Sequence, residues 1–166
     1  MNTDKHGSKF SERGLQVAST DALKKTLGTA GDTAARLRAL WALHVTTGLD
    51  ARTVVETTKS TDEWVRAWTI QLAFESPEIV ARLLREVEEQ GIKPDPSLLN
   101  MAESDSSKLV RLFIAAAAQR ATSEELRTAL VKRLLAHDED GGDHNLPLMY
   151  WFAMEPLAAQ HPSESL

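Results

Sequence analysis

The side chains with the most chemical potential in this chain are three arginines that recur in one local setting. Arg38, Arg66 and Arg111 each follow an aliphatic residue, Leu37, Val65 or Val110, and each precedes a block of alanine, tryptophan, leucine or isoleucine. A guanidinium fork matches a carboxylate or a phosphate with two parallel hydrogen bonds, so such a row can grip an acidic partner or brace a protein from within. Asp32 and Asp105 precede Arg38 and Arg111 at one common spacing, while the second unit has Ser60 in place of that acid and Asp62 two positions later. The internal use is the expected one, a structural ladder in which the arginines pair with Asp32, Asp62 and Asp105 and hold register. Trp64 falls near a helix start, on a side not shared with Val65 and Trp68. It is the expected exposed aromatic, and with Arg66 it forms the candidate partner-binding pair.

Other chemistry is sparse. The turn DEDGGDHN offers Asp138, Glu139, Asp140, Asp143 and His144, oxygen and nitrogen groups that suit a cation, yet it lacks calcium-loop spacing and the bidentate terminal Glu. A helix cap and hinge explains the same residues, and no metal is expected. His137 and His144 have no fixed helical spacing of the kind zinc uses. There is no G-x-S-x-G, no phosphate loop and no dinucleotide fingerprint, so no catalytic residue is assigned and an enzyme is not expected.

The elements that must position these residues are helices. The phrase around each arginine is written three times, DTAARLRALWAL, TDEWVRAWTIQL and DSSKLVRLFIAAA, and a degenerate fourth version, DHNLPLMYWFAM, puts Leu146 and Pro147 at the aliphatic and arginine places. Such repetition signals stacked helical units, each unable to bury its apolar face alone. Sequence punctuation predicts a short helix from Ser19 or Thr20 to Leu27, then one from Asp32 to Gly48. Helices near Asp50 to Lys59 and after Ser60 come next, the latter with a Ser60 and Glu63 capping box. Ser76 with Pro77 opens an amphipathic helix whose Ile79, Val80, Leu83, Leu84 and Val87 face inward. A short helix follows Pro96, the third phrase runs to about Ala121, and Thr122 with Glu125 caps a helix burying Leu126, Leu130, Leu134 and Leu135. A short last helix starts at about Leu146. Trp41, Trp68 and Trp151, with Phe113, are expected to fill the core between helices.

Period-2 alternation is absent, which excludes a sheet and gives an all-α class. The reading is one HEAT-like α-solenoid of about eight or nine antiparallel helices over residues 15–160, with a disordered leader at 1–14 and a tail at 161–166. The spacing of equivalent arginines is uneven, and neither TPLH nor W-x-x-L-G occurs, so ankyrin and tetratricopeptide arrays are disfavoured. A net charge of −5 with basic residues scattered through the helices argues against a duplex-binding surface. Cysteine is absent, which removes disulfides, iron–sulfur clusters, thiolate zinc sites and covalent haem attachment. No segment approaches a membrane-spanning run, and no membrane insertion is expected.

The stretches RLRALWALHVTTGLD, DEWVRAWTIQLAFE, SSKLVRLFIAAAAQR and above all DHNLPLMYWFAMEPLA resemble the helical-repeat segment of large haem-binding dehydrogenase-like proteins of planctomycetes and verrucomicrobia. There the segment is a spacer between a propeller of sugar-dehydrogenase type and a c-type cytochrome domain. The CxxCH motif is missing here, so the resemblance implies a cofactor-free scaffold that positions redox domains. Its partners are then proteins, either neighbouring domains or another chain, and its compartment is the periplasm if it is part of such a parent. The alternative is a HEAT-repeat nucleic-acid-binding protein of alkylpurine-glycosylase type, which needs a basic concave face with exposed aromatics. A haem-contacting segment is a third class and needs an axial ligand at the surface.

Overall fold

The computed structural model describes residues 5–160, with side chains from residue 17 to 159. All regular structure among them is helical: α1 (Lys5–Thr29), α2 (Thr33–Thr46), α3 (Ala51–Thr57), α4 (Glu63–Ala73), α5 (Pro77–Glu89), α6 (Leu98–Ser104), α7 (Lys108–Arg120), α8 (Glu124–Leu134) and α9 (Leu146–Gln160), with a 3-10 turn at Asp138–Asp140. The all-α class follows. Two ends differ from expectation. α1 starts at Lys5, so the stretch read as a leader is helical from there to Gly14, because no proline interrupts it and its two glycines tax a helix without ending it. α9 runs 15 residues through Pro156, the longest helix after α1, because its apolar run continues past the proline. The parts of the expected leader and tail at 1–4 and 161–166 lie outside the described residues.

The chain forms two compact units, Met1–Leu49 and Asp50–Leu166, where one domain was expected. The division follows α2, at a turn where Gly48 takes φ of 76°, the left-handed position that glycine occupies without steric cost. In the first unit α1 packs on α2, and Leu27, Leu40 and Leu43 are buried. In the second, α7 packs on α4, α8 and α9, while α6 lies against α8 and α3 against α4 and α5.

Short polar side chains start the helices. Asp32, Asp50, Asp62, Ser76, Ser97, Ser107 and Ser123 each accept a hydrogen bond from a backbone amide of the first turn, satisfying donors that a helix leaves open. Ser76 with Pro77 caps as expected, but the two predicted capping boxes do not form. A box needs its acid three residues after the cap. With Asp62 and Ser123 as the caps, Glu63 and Glu125 fall too early, and Glu63 accepts from the Ser107 hydroxyl instead.

The core of the second unit is built on alanine. Ile114, Ala115, Ala117 and Ala118 of α7 are wholly buried and meet Ala67 and Ile70 of α4, Leu130, Val131 and Leu134 of α8, and Leu146, Tyr150 and Ala153 of α9. Small side chains on several faces of one helix let three neighbours approach it closely, at the density of a protein interior. The expected inward face of α5 needs one correction. Leu83 is buried, but Leu84 is 63% exposed, since the next residue lies about 100° further around the helix. Leu135, just past α8, is exposed for the same reason. Ala115→Leu places three extra carbons where no space exists and is expected to cost about 1–3 kcal/mol in urea unfolding, with helicity retained in the folded baseline.

Candidate functional site

Two of the three arginines expected to form a ladder, Arg66 and Arg111, each clamp a carboxylate. Arg66 on α4 reaches forward to Asp105, with Nε to Oδ2 at 2.8 Å and Nη2 to Oδ1 at 2.9 Å, and its Nη1 donates to the Ser60 carbonyl at 2.8 Å. Arg111 on α7 repeats the arrangement: Nε and Nη2 clamp Asp140 at 2.7 and 2.5 Å, and Nη1 donates to the Asp105 carbonyl at 2.7 Å. Both arginines thus bind the carbonyl six residues behind them and a carboxylate further along the chain, Asp105 at the end of α6 for Arg66 and Asp140 in the 3-10 turn for Arg111. Asp105 serves both clamps, one through its carboxylate and one through its carbonyl. Asp62 and Asp32 are helix caps turned to their own amides, and Arg38 is exposed.

Asp140, read from the sequence as part of an acidic cap and hinge, is the most buried carboxylate of this network. Its side chain and that of Arg111 are 1% and 2% exposed, and the Tyr150 hydroxyl donates to its Oδ2 at 2.6 Å. Burial pushes the Asp140 carboxyl up, but the hydrogen bonds from Arg111 and Tyr150 outweigh it and hold the group below its ordinary range. Arg111 is held above its usual value, first by the bond to Asp140. Tyr150 is driven well up by burial and then by donation to that carboxylate. The trio is locked as guanidinium, carboxylate and phenol at neutral pH, a state that suits a strut and leaves no proton to exchange.

Of the rest of the acid turn, Asp138, Glu139 and His144 are exposed, while Asp143 and His137 are tied to the backbone. Asp143 accepts from the amides of Asn145 and Leu146 and starts α9, and those two bonds lower its carboxyl. His137 Nε2 lies 2.9 Å from the Ala102 carbonyl, which fixes a proton on that nitrogen, and Nδ1 lies 3.0 Å from Glu139 Oε1. Among the described residues no group of three or more His, Cys, Asp or Glu converges as a metal ion requires. Arg127 adds a different brace: Nε and Nη2 donate to the carbonyls of Ala118 and Ala121, closing the end of α7.

Several apolar groups among the described residues are exposed. Trp64 is 47% exposed, as expected, and its backbone amide is tied to Asp62 while its neighbour Glu63 is tied to Ser107. Its companion Arg66 is fully engaged with Asp105 and Ser60 and has no fork left for a partner. The tryptophans read as core divide: Trp68 is half-buried, with its ring centroid 5.8 Å from that of Phe113, but Trp41 and Trp151 are exposed. Trp151 joins Leu148 and Phe152 in an apolar stripe, because positions three and four apart share one face of α9.

A half-enclosed cavity of about 310 Å³ is walled by α3, α4, α5, α6 and the segment before α6, with Leu126 of α8. Val54, Val55, Phe74, Leu83, Leu99 and Met101 are among its lining residues. Sequence reasoning missed it, since each of its walls reads as an ordinary buried helix face. The proline pair Pro94 and Pro96, both of which line it, is the one local signal of a wall that is not helical.

No family model, characterised protein or solved structure matches this chain. The site therefore stands on its geometry. Tyr150→Phe removes the second donor to Asp140 and is expected to cost about 1–3 kcal/mol. The Asp140 carboxyl is lower in the folded state than its unfolded value near 3.9. Its contribution is therefore complete above that pH and drains as pH falls through the folded value. Without the phenol that folded value rises, so the acid limb of a circular-dichroism pH titration moves to higher pH in Tyr150→Phe.

Proposed function

We propose that this chain is a non-catalytic, HEAT-like helical scaffold that binds protein, a spacer holding redox domains in a larger haem-binding dehydrogenase-like assembly. The observation that carries the scaffold reading is the repeated clamp. Arg66 and Arg111 make the same three contacts in successive repeat phrases, each reaching forward to a carboxylate beyond its own helix. A contact that recurs with the phrase and always reaches the following unit is the kind that sets register in a stacked array. The packing of α4, α7 and α9 in one row, with α6 against α8 beside it, supports the solenoid form of that array.

Protein binding is supported by rigidly mounted apolar groups at the surface, Trp64 at the start of α4 and Leu148, Trp151 and Phe152 on α9. Aromatic anchors held in place lose little freedom on association, and such residues dominate interface energies. The link to redox domains rests on the sequence resemblance. Engagement of Arg66 and Arg111 with carboxylates weighs against the nucleic-acid alternative, because those forks are no longer free for phosphate.

Affinity capture from the native extract with the tagged chain, read by haem absorbance and peptide sequencing of the recovered material, tests this. Wild type is expected to retain a haem-containing protein, and Trp64→Ala to lose at least about tenfold of it at unchanged melting temperature, the effect of removing an interface hot spot. No haem-containing partner, or equal recovery by both, contradicts the reading.

A further inference from the structure

The cavity of the second unit has a lining that fits one class of ligand. Only Thr58 and Ser97 bring side-chain hydroxyls to it, and both are spoken for: Thr58 Oγ1 donates to the Val55 carbonyl at 3.0 Å, and Ser97 Oγ accepts from the Asn100 amide at 3.2 Å. Water placed there finds almost no partner, and a polar ligand would leave its own groups unsatisfied. A hydrocarbon loses nothing. The volume of about 310 Å³ corresponds to on the order of ten non-hydrogen atoms at roughly liquid density.

The shape narrows the choice further. Residues of α3, α4, α5, α6 and the segment before α6 line the space, which is half open, and its volume of about 310 Å³ is too small for a peptide helix. Leu84 lines it while remaining 63% exposed, an apolar side chain placed where the cavity meets solvent. An unbranched chain can enter end first past such a residue, leaving any head group in water. We propose that this cavity is a binding site for a single alkyl chain of roughly ten carbons, supplied by a free fatty acid or by the acyl group of a lipid. The site lies apart from Trp64 and from the arginine clamps, and it is independent of the scaffold reading.

Titration of the full chain with hexanoate, octanoate, decanoate, hexadecanoate and decan-1-ol, followed by amide and methyl NMR shifts, tests the proposal. Affinity is expected to rise about three- to fourfold per added methylene up to roughly ten carbons and then level off, the increment for burying one methylene. The shifts are expected at Val54, Val55, Leu83 and Leu99, and decan-1-ol is expected to match decanoate within about threefold, since the chain and not the charge is held. Val55→Phe fills the space, and Leu84→Glu sets a charge at its mouth on an exposed position that the core does not need. Each is expected to weaken decanoate at least about tenfold. Binding of decanoate without decan-1-ol, shifts confined to other residues, affinity indifferent to chain length, or undiminished binding in Leu84→Glu would each overturn it. Vesicles of phosphatidylglycerol separate the two sources: co-sedimentation abolished by Leu84→Glu assigns the chain to a lipid, and decanoate binding without co-sedimentation assigns it to a free acid.

Discussion

A guanidinium taken out of water must be met by a carboxylate, and in this molecule that requirement ties distant parts of the chain together. Arg111 is among the largest fully buried side chains, and its charge can be accommodated only because Asp140 and the Asp105 carbonyl sit where its five donors point. Desolvating two ions costs several kcal/mol each, so the pair adds little net stability over an apolar replacement. What it contributes is exclusivity. A helix sliding by one turn along α7 would leave an unpaired charge in the core, while alanine and leucine surfaces alone would tolerate the slip.

The same constraint explains the distribution of residues around it. α7 can be alanine-rich because the arginine clamp supplies the specificity that small, interchangeable side chains lack. Tyr150 belongs in the core in spite of its hydroxyl because Asp140 has a lone pair left for it. Pro147 stands at the arginine place of the fourth phrase, and the clamp is made twice in the second unit, by Arg66 and Arg111. Trp64, at the start of α4, lies outside these clamps and is exposed.

The class of the fold was legible because helix punctuation is local. Ser76 with Pro77, and Gly48 after α2, each specify their conformation within a few residues. Arg66 and Arg111 were legible as struts and Asp105 as a strut carboxylate, but not which arginine it serves, nor Asp140. Arg66 bonds a carboxylate 39 residues away and Arg111 one 29 residues away, and nothing within a phrase distinguishes a forward reach from a bond to its own helix cap. Asp62 and Asp32 misled because a cap aspartate and a strut aspartate look alike until the amide that claims them is known. Asp140 was hidden in a run of acids, DEDGGD, in which sequence does not show which one a distant arginine claims. The cavity was hidden more deeply, since a void is the absence of a contact between segments and no one segment encodes it.

The most direct test of this account is a double-mutant cycle on Arg111→Met and Asp140→Leu, measured by urea unfolding. Each single change strands a buried polar or charged group and should cost about 3–5 kcal/mol, whereas the double variant should recover most of that loss, giving a coupling of at least about 2 kcal/mol. Additivity within about 0.5 kcal/mol would show that the two groups do not depend on one another, and the clamp would not be what holds these helices in register.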